Sequence, residues 1–131
     1  MRRPRSIAMK SALVLLVHGS PRPSADAELL EVAERVRERG AYDRVEVGYL
    51  ECQEPDIPTV LDRCAAAGAR LVVAVPCFLH TGTHVAEDIP DLLEEARARH
   101  PGVEFRLARF LGSSPRLAHI LAEHALSVSD P

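Results

Sequence analysis

The chain has 131 residues and 14.3 kDa, with a formal charge of −3 at pH 7 and a pI near 6.1. Hydrophobic residues make up 47% and charged residues 27%, which is ordinary usage for one globular core and excludes a disordered chain, a fibre and a two-domain protein. Without a net positive charge, and with three Phe, two Tyr and no Trp, the chain is no candidate for nucleic-acid binding, and no apolar run nears the roughly 20 residues of a membrane span.

Residues 1–10 are basic and read as a disordered extension, with Met9 a second possible start. A basic stretch before an apolar run loosely imitates a secretion signal. Here the run is short, and His18-Gly19-Ser20-Pro21 follows it in place of a small-residue cleavage site. Three cysteines, Cys52, Cys64 and Cys77, form no CxxC pair and leave an odd thiol, as expected of a reduced, cytoplasmic protein.

A single domain is expected over residues 11–126, with 127–131 frayed. Ala12–Val17 is continuous and apolar, the pattern of a strand covered on both faces. Leu29, Val32, Ala33 and Val36 follow at helical spacing behind Ser24. Val45–Tyr49 alternates, as a half-exposed strand does. Ile57, Val60, Leu61 and Cys64 make the second helical stripe, opened by Asp56 and Pro58. Leu71–Val75 is again continuous. Ile89, Leu92, Leu93 and Ala96 make the third stripe, with Asp88 and Pro90 at its start. Val103–Leu107 alternates, and Leu117, Ile120, Leu121 and Ala125 make the last stripe behind Ser114-Pro115. Gly40, Gly68 and His100-Pro101-Gly102 read as helix stops.

Strand–helix alternation predicts a parallel sheet with right-handed crossovers and helices on both faces. The continuous strands belong in the centre and the alternating ones at the edges. That gives a flavodoxin-like α/β fold of order 2-1-3-4, with a topological switch point between strands one and three. Ligands of such folds bind there, outside the carboxyl ends of the strands.

The residues after each strand carry the chemistry. His18-Gly19-Ser20-Pro21 follows the first, Glu51-Cys52-Gln53-Glu54-Pro55 the second, and Pro76-Cys77-Phe78-Leu79-His80-Thr81-Gly82-Thr83-His84 the third. Three of the six histidines and two carboxylates thus gather at one end of the sheet. Imidazoles with a carboxylate and open positions hold a divalent metal without caging it, and neutral imidazole accepts a proton near pH 7. A site that holds a metal and removes protons suits metal delivery into a macrocycle. Gly82 between His80 and His84 argues for a loop, with Thr83 or Asp88 capping the next helix. Cys77 reads as a packed thiol, and His100, His119 and His124 receive no role. No GxGxxG, P-loop or GxSxG elbow is present, which leaves dinucleotide binding, a hydrolase and a flavodoxin-like signalling domain unsupported.

The blocks VHGS, YLECQEP and PCFLHTGTHVAEDIP resemble the small CbiX/SirB-type sirohydrochlorin cobaltochelatases and ferrochelatases, single-lobe members of the class II chelatases, over about residues 11–126. The resemblance implies a lyase that inserts Co²⁺ or Fe²⁺, with Ni²⁺ also possible, into sirohydrochlorin in cobalamin or siroheme synthesis. The metal is then a substrate, and no organic cofactor is needed. It further implies that His18 is metal ligand and proton acceptor, that His84 is the second ligand, and that Glu51 contacts the tetrapyrrole. Leu79, His80, Thr81, Gly82, Thr83 and His84 match the family's substrate-contacting loop, and a homodimer is implied. Two features depart from the family or add to it: Pro21 stands where the first block commonly has Arg, with Arg22 one place later, and His80 and Cys77 are additional candidate ligands. The alternative reading is a non-catalytic metal carrier of the same fold.

Overall fold

In a computed structural model, residues 10–130 are described, with the backbone alone for Pro23, Ala25, Thr83 and His84. Of the extension expected over residues 1–10, residues 1–9 lie outside the described residues, as does Pro131. Lys10 is tied down, its carbonyl accepting the N–H groups of Arg70 (2.9 Å) and Leu71 (3.1 Å).

Strands β1 (Ser11–Val17), β2 (Arg44–Tyr49), β3 (Leu71–Pro76) and β4 (Glu104–Leu107) alternate with helices α1 (Pro23–Glu38), α2 (Ile57–Ala66) and α3 (Thr83–Arg99). A 3-10 turn at Leu111–Ser113 and helix α4 (Arg116–Leu126) close the chain. The sheet is parallel throughout, in the order β2-β1-β3-β4, as the hydropathy pattern predicts. All seven β1 residues are buried, whereas only Phe105 of β4 is. A strand between two neighbours and two layers must be apolar on both faces, and an edge strand need not be.

Alternation along the strands sends side chains to two cores. Ala12, Val14, Leu16, Val72, Ala74 and Phe105 meet Ile57, Val60, Leu61 and Cys64 of α2 and Ile89, Leu93 and Ala96 of α3. Leu13, Leu15, Val17, Val45, Val47 and Tyr49 meet Ala33 of α1. Two helices therefore cover one face and one covers the other.

Three local expectations are corrected. Helix α1 is opened by Arg22 with Pro23 in its first turn, and no side chain caps it, so Ser24 is not its cap. Helix α3 starts behind Gly82, well before Asp88, and Pro90 lies inside it. Pro90 is on the solvent side, where the carbonyl left without its partner can be hydrated. The stripe of α4 is not core: no α4 residue is buried, and Ile120 and Leu121 are 44% and 59% exposed. Asp56, by contrast, caps α2 as read, accepting the Thr59 N–H at 2.9 Å.

Candidate active site

The carboxyl ends of β1 and β2 do not part where the strands stop. The Leu50 N–H donates to Val17 O (2.9 Å) and the Glu51 N–H to His18 O (3.0 Å), so pairing runs one step further. That step sets two side chains side by side: His18 Nε2 lies 2.9 Å from Glu51 Oε1, with the side chains 61% and 60% exposed. The next residue must then turn away within a crowded space. Gly19 does so at φ +96°, and a Cβ there would sit 1.9 Å from Glu51 O, so only glycine fits.

The loop after β2 is folded back on the same spot. Cys52 takes φ +69°, and the Gln53 N–H donates to Glu51 O at 2.8 Å. Gln53 Oε1 accepts the Ser20 N–H at 3.0 Å, stitching the two loops together. Beneath them the buried Tyr49 donates its hydroxyl to the Asp26 carboxylate and ties α1 to the end of β2. Gln53 and the Tyr49–Asp26 pair hold the loops and the helix that flank His18 and Glu51, yet the sequence reading gave these three residues no role. Gln53 lies in a block that reading singled out, whereas the contact between Tyr49 and Asp26 spans 23 positions and leaves no local trace.

The loop after β3 is pinned from both sides. The Cys77 N–H donates to Leu16 O of β1, and the Gly112 N–H donates to Phe78 O, each at 2.8 Å. A Cβ on Gly112 would lie 1.7 Å from Leu79 O, so the 3-10 turn presses directly on the loop. Leu79, His80, Thr81 and Gly82 stand exposed beyond it. The backbone of Thr83 and His84 forms the first turn of α3, not a loop. Their side chains lie outside the described residues.

The structure thus brings together His18 and Glu51. Glu54 and His80 are exposed and take part in no ion pair or side-chain hydrogen bond among the described residues. Cys77 is half-buried, with its thiol 3.6 Å from Val75 O, and burial pushes the thiol up; it is a packed thiol, as read. Among the described residues no group of three or more His, Cys, Asp and Glu could hold a metal. The His18–Glu51 pair supplies a different arrangement. With Nε2–H donated to the carboxylate, the Nδ1 lone pair is free to meet a metal or a proton, and the carboxylate sets tautomer and ring orientation.

Residues 12–128 match the family described as CbiX. The chain belongs to the CbiX family. Over 82 residues this CbiX chain is 45% identical to the sirohydrochlorin cobaltochelatase of Methanococcus maripaludis, covering 63% of this chain and 57% of that protein. The crystal structure of a cobalamin-biosynthesis CbiX protein of Marinobacter aquaeolei superposes with a TM-score of 0.78 at 30% identity, covering 89% of this chain and 95% of that one. The sirohydrochlorin chelatase SirB of Bacillus subtilis subspecies spizizenii, solved with cobalt, gives a TM-score of 0.82 at 26% identity. There 92% of this chain matches 52% of SirB. The CbiX chain therefore spans about half the length of the cobaltochelatase and of SirB, and nearly the whole of the Marinobacter protein.

Proposed function

We propose that this CbiX protein inserts a divalent metal, Co²⁺ or Fe²⁺, into sirohydrochlorin. The observation that carries this reading is the exposed His18 imidazole, fixed by Glu51 at the switch point of the sheet, beside the pinned loop that leads into His84. Insertion exchanges two macrocycle N–H protons for the metal. His18 serves as metal ligand and, once the metal has left its lone pair, as acceptor of one proton, the other passing to solvent; the His84 imidazole serves as the second ligand. Two ligands hold the ion loosely enough to release it, and open coordination positions receive the pyrrole nitrogens. Glu51, Leu79, His80, Thr81, Gly82 and Thr83 form the surface on which the macrocycle rests. Imidazole ligands do not choose between cobalt, iron and nickel, because affinity follows the metal series and supply decides occupancy.

The working form is a homodimer. Helix α4 leans on the 3-10 turn and leaves Ile120, Leu121 and Leu126 in solvent, and Leu107 and Leu111 are exposed as well. On the α1 face, Val73 and Val75 of β3 are partly buried. One chain thus offers an uncovered helix beside a sheet face that is only partly buried, and a second copy covers both twice about a two-fold axis. The three cysteines are all free, which supports a reducing, cytoplasmic setting. Among the described residues, no helix is long and apolar enough to cross a membrane.

An anaerobic spectral assay tests the reading. Purified protein, sirohydrochlorin and Co²⁺ or Fe²⁺ are mixed, and the macrocycle absorbance is followed against the uncatalysed rate. Wild type should accelerate insertion, and His18→Ala and His84→Ala should fall to background while remaining folded. Metal binding without acceleration for either ion would replace the chelatase with a carrier.

A further inference from the structure

Seven of the twelve arginines among the described residues lie in ion pairs. Arg35, Arg37, Arg44, Arg63, Arg97, Arg99 and Arg106 each lie within 4.0 Å of a carboxylate. Arg109 is exposed and forms no ion pair among the described residues. It follows β4 at the same carboxyl end of the sheet as His18. Its backbone is bracketed by two hydrogen bonds, from the Ala108 N–H to Ala74 O and from the Gly112 N–H to Phe78 O, both 2.8 Å. The guanidinium therefore hangs from a fixed frame. Arg109 lines a cavity of about 220 Å³ whose other walls include Val85, Ile89, Leu107 and Phe110. Thr81 of the β3–α3 loop borders the same cavity.

An apolar hollow with one free guanidinium fits a ligand that is flat and apolar but carries carboxylates at its edge. Resting on the chelatase reading, we infer that Arg109 binds a peripheral carboxylate of the tetrapyrrole, with one pyrrole edge seated in the cavity. Arg22, Arg39, Arg70 and Arg116 also form no ion pair among the described residues, but none of them lines the cavity. The planar fork of arginine can grip a carboxylate through two parallel hydrogen bonds, which lysine cannot reproduce. Arg109 then positions the macrocycle and takes no part in metal ligation or proton transfer.

The test measures equilibrium binding of metal-free sirohydrochlorin, together with Co²⁺ binding in its absence, for wild type, Arg109→Ala, Arg109→Lys and Arg35→Ala. Arg35 sits in an exposed ion pair on α1, so its variant removes the same charge elsewhere. Arg109→Ala should weaken sirohydrochlorin binding about tenfold or more, as loss of a charge-assisted contact does. Arg109→Lys should recover only part, Arg35→Ala should bind as wild type, and Co²⁺ affinity should not move in any of them. In turnover, KM should rise in Arg109→Ala while kcat is kept. Binding by Arg109→Ala equal to that by Arg35→Ala would overturn the inference and leave the chelatase reading standing. A parallel loss of Co²⁺ affinity would also overturn it, since Arg109 would then be supporting the fold of the site. A wild type that neither binds nor metallates sirohydrochlorin would remove the functional reading itself, and this inference with it.

Discussion

His18 and Glu51 meet because two hydrogen bonds, Leu50 N–H to Val17 O and Glu51 N–H to His18 O, carry β1–β2 pairing past the strand ends, and Gly19 allows the chain to leave afterwards. A methyl group at position 19 would collide with Glu51 O, at a φ that side chains rarely adopt. Gly19→Ala is expected to cost at least about 2 kcal/mol in urea unfolding and to reduce Co²⁺ affinity. Unchanged stability would show that the loop can relax away from the contact. The thiols make a second prediction. Cys64 is fully buried, and burial, reinforced by the nearby Glu46 carboxylate, pushes its thiol up to about 12. Cys52 is exposed beside Glu51. Iodoacetamide should modify Cys52 first and leave Cys64 untouched until the protein is unfolded. Peptide mass mapping reads this directly, and comparable labelling of both in the native state would contradict it.

At the scale of elements, Asp62 on α2 clasps the end of α3. Its carboxylate lies 2.6 Å from His100 Nε2 and 2.9 Å from Arg99 Nε at the end of α3. Partial burial pushes the Asp62 carboxyl up, but hydrogen bonds from His100 and Arg99 and their charges outweigh it and hold it below the usual value. A carboxyl lowered in the folded state stabilises above its unfolded pKa of about 3.9 and loses that contribution as pH falls through the folded value. Asp62→Asn should therefore be less stable than wild type at neutral pH, with the gap closing below about pH 4. Urea midpoints at a series of pH values check this. A gap that stays constant with pH would mean that the charge of Asp62 is irrelevant.

At the scale of the whole molecule, the proposed dimer rests on the exposed α4. Leu121→Asp places a charge in the middle of its apolar stripe and should turn a dimer into monomers in sedimentation equilibrium. Circular dichroism of the sheet should stay unchanged, because no α4 residue is buried in this chain. A wild type that sediments as a monomer at tens of micromolar would remove the dimer from the proposal.

Sheet order, the two central strands and the gathering of His18, Glu51 and the 77–84 segment at one end were legible from sequence by itself. Burial writes hydropathy into each strand, and a parallel crossover sends every strand end of this kind to the same side. Asp56 as a cap was legible too, since its partner is three residues away. What only the tertiary structure decided involves contacts between distant residues. Gln53 reaches Ser20, Tyr49 reaches Asp26, and Gly112 presses on Leu79, none of them marked by periodicity. The α4 stripe repeats as regularly as a core helix, because an apolar stripe records that a face is to be buried and not by which chain. Arg109 looks in sequence like every other surface arginine. Its distinction is the cavity it lines, which depends on how β4, the 3-10 turn and α3 come together.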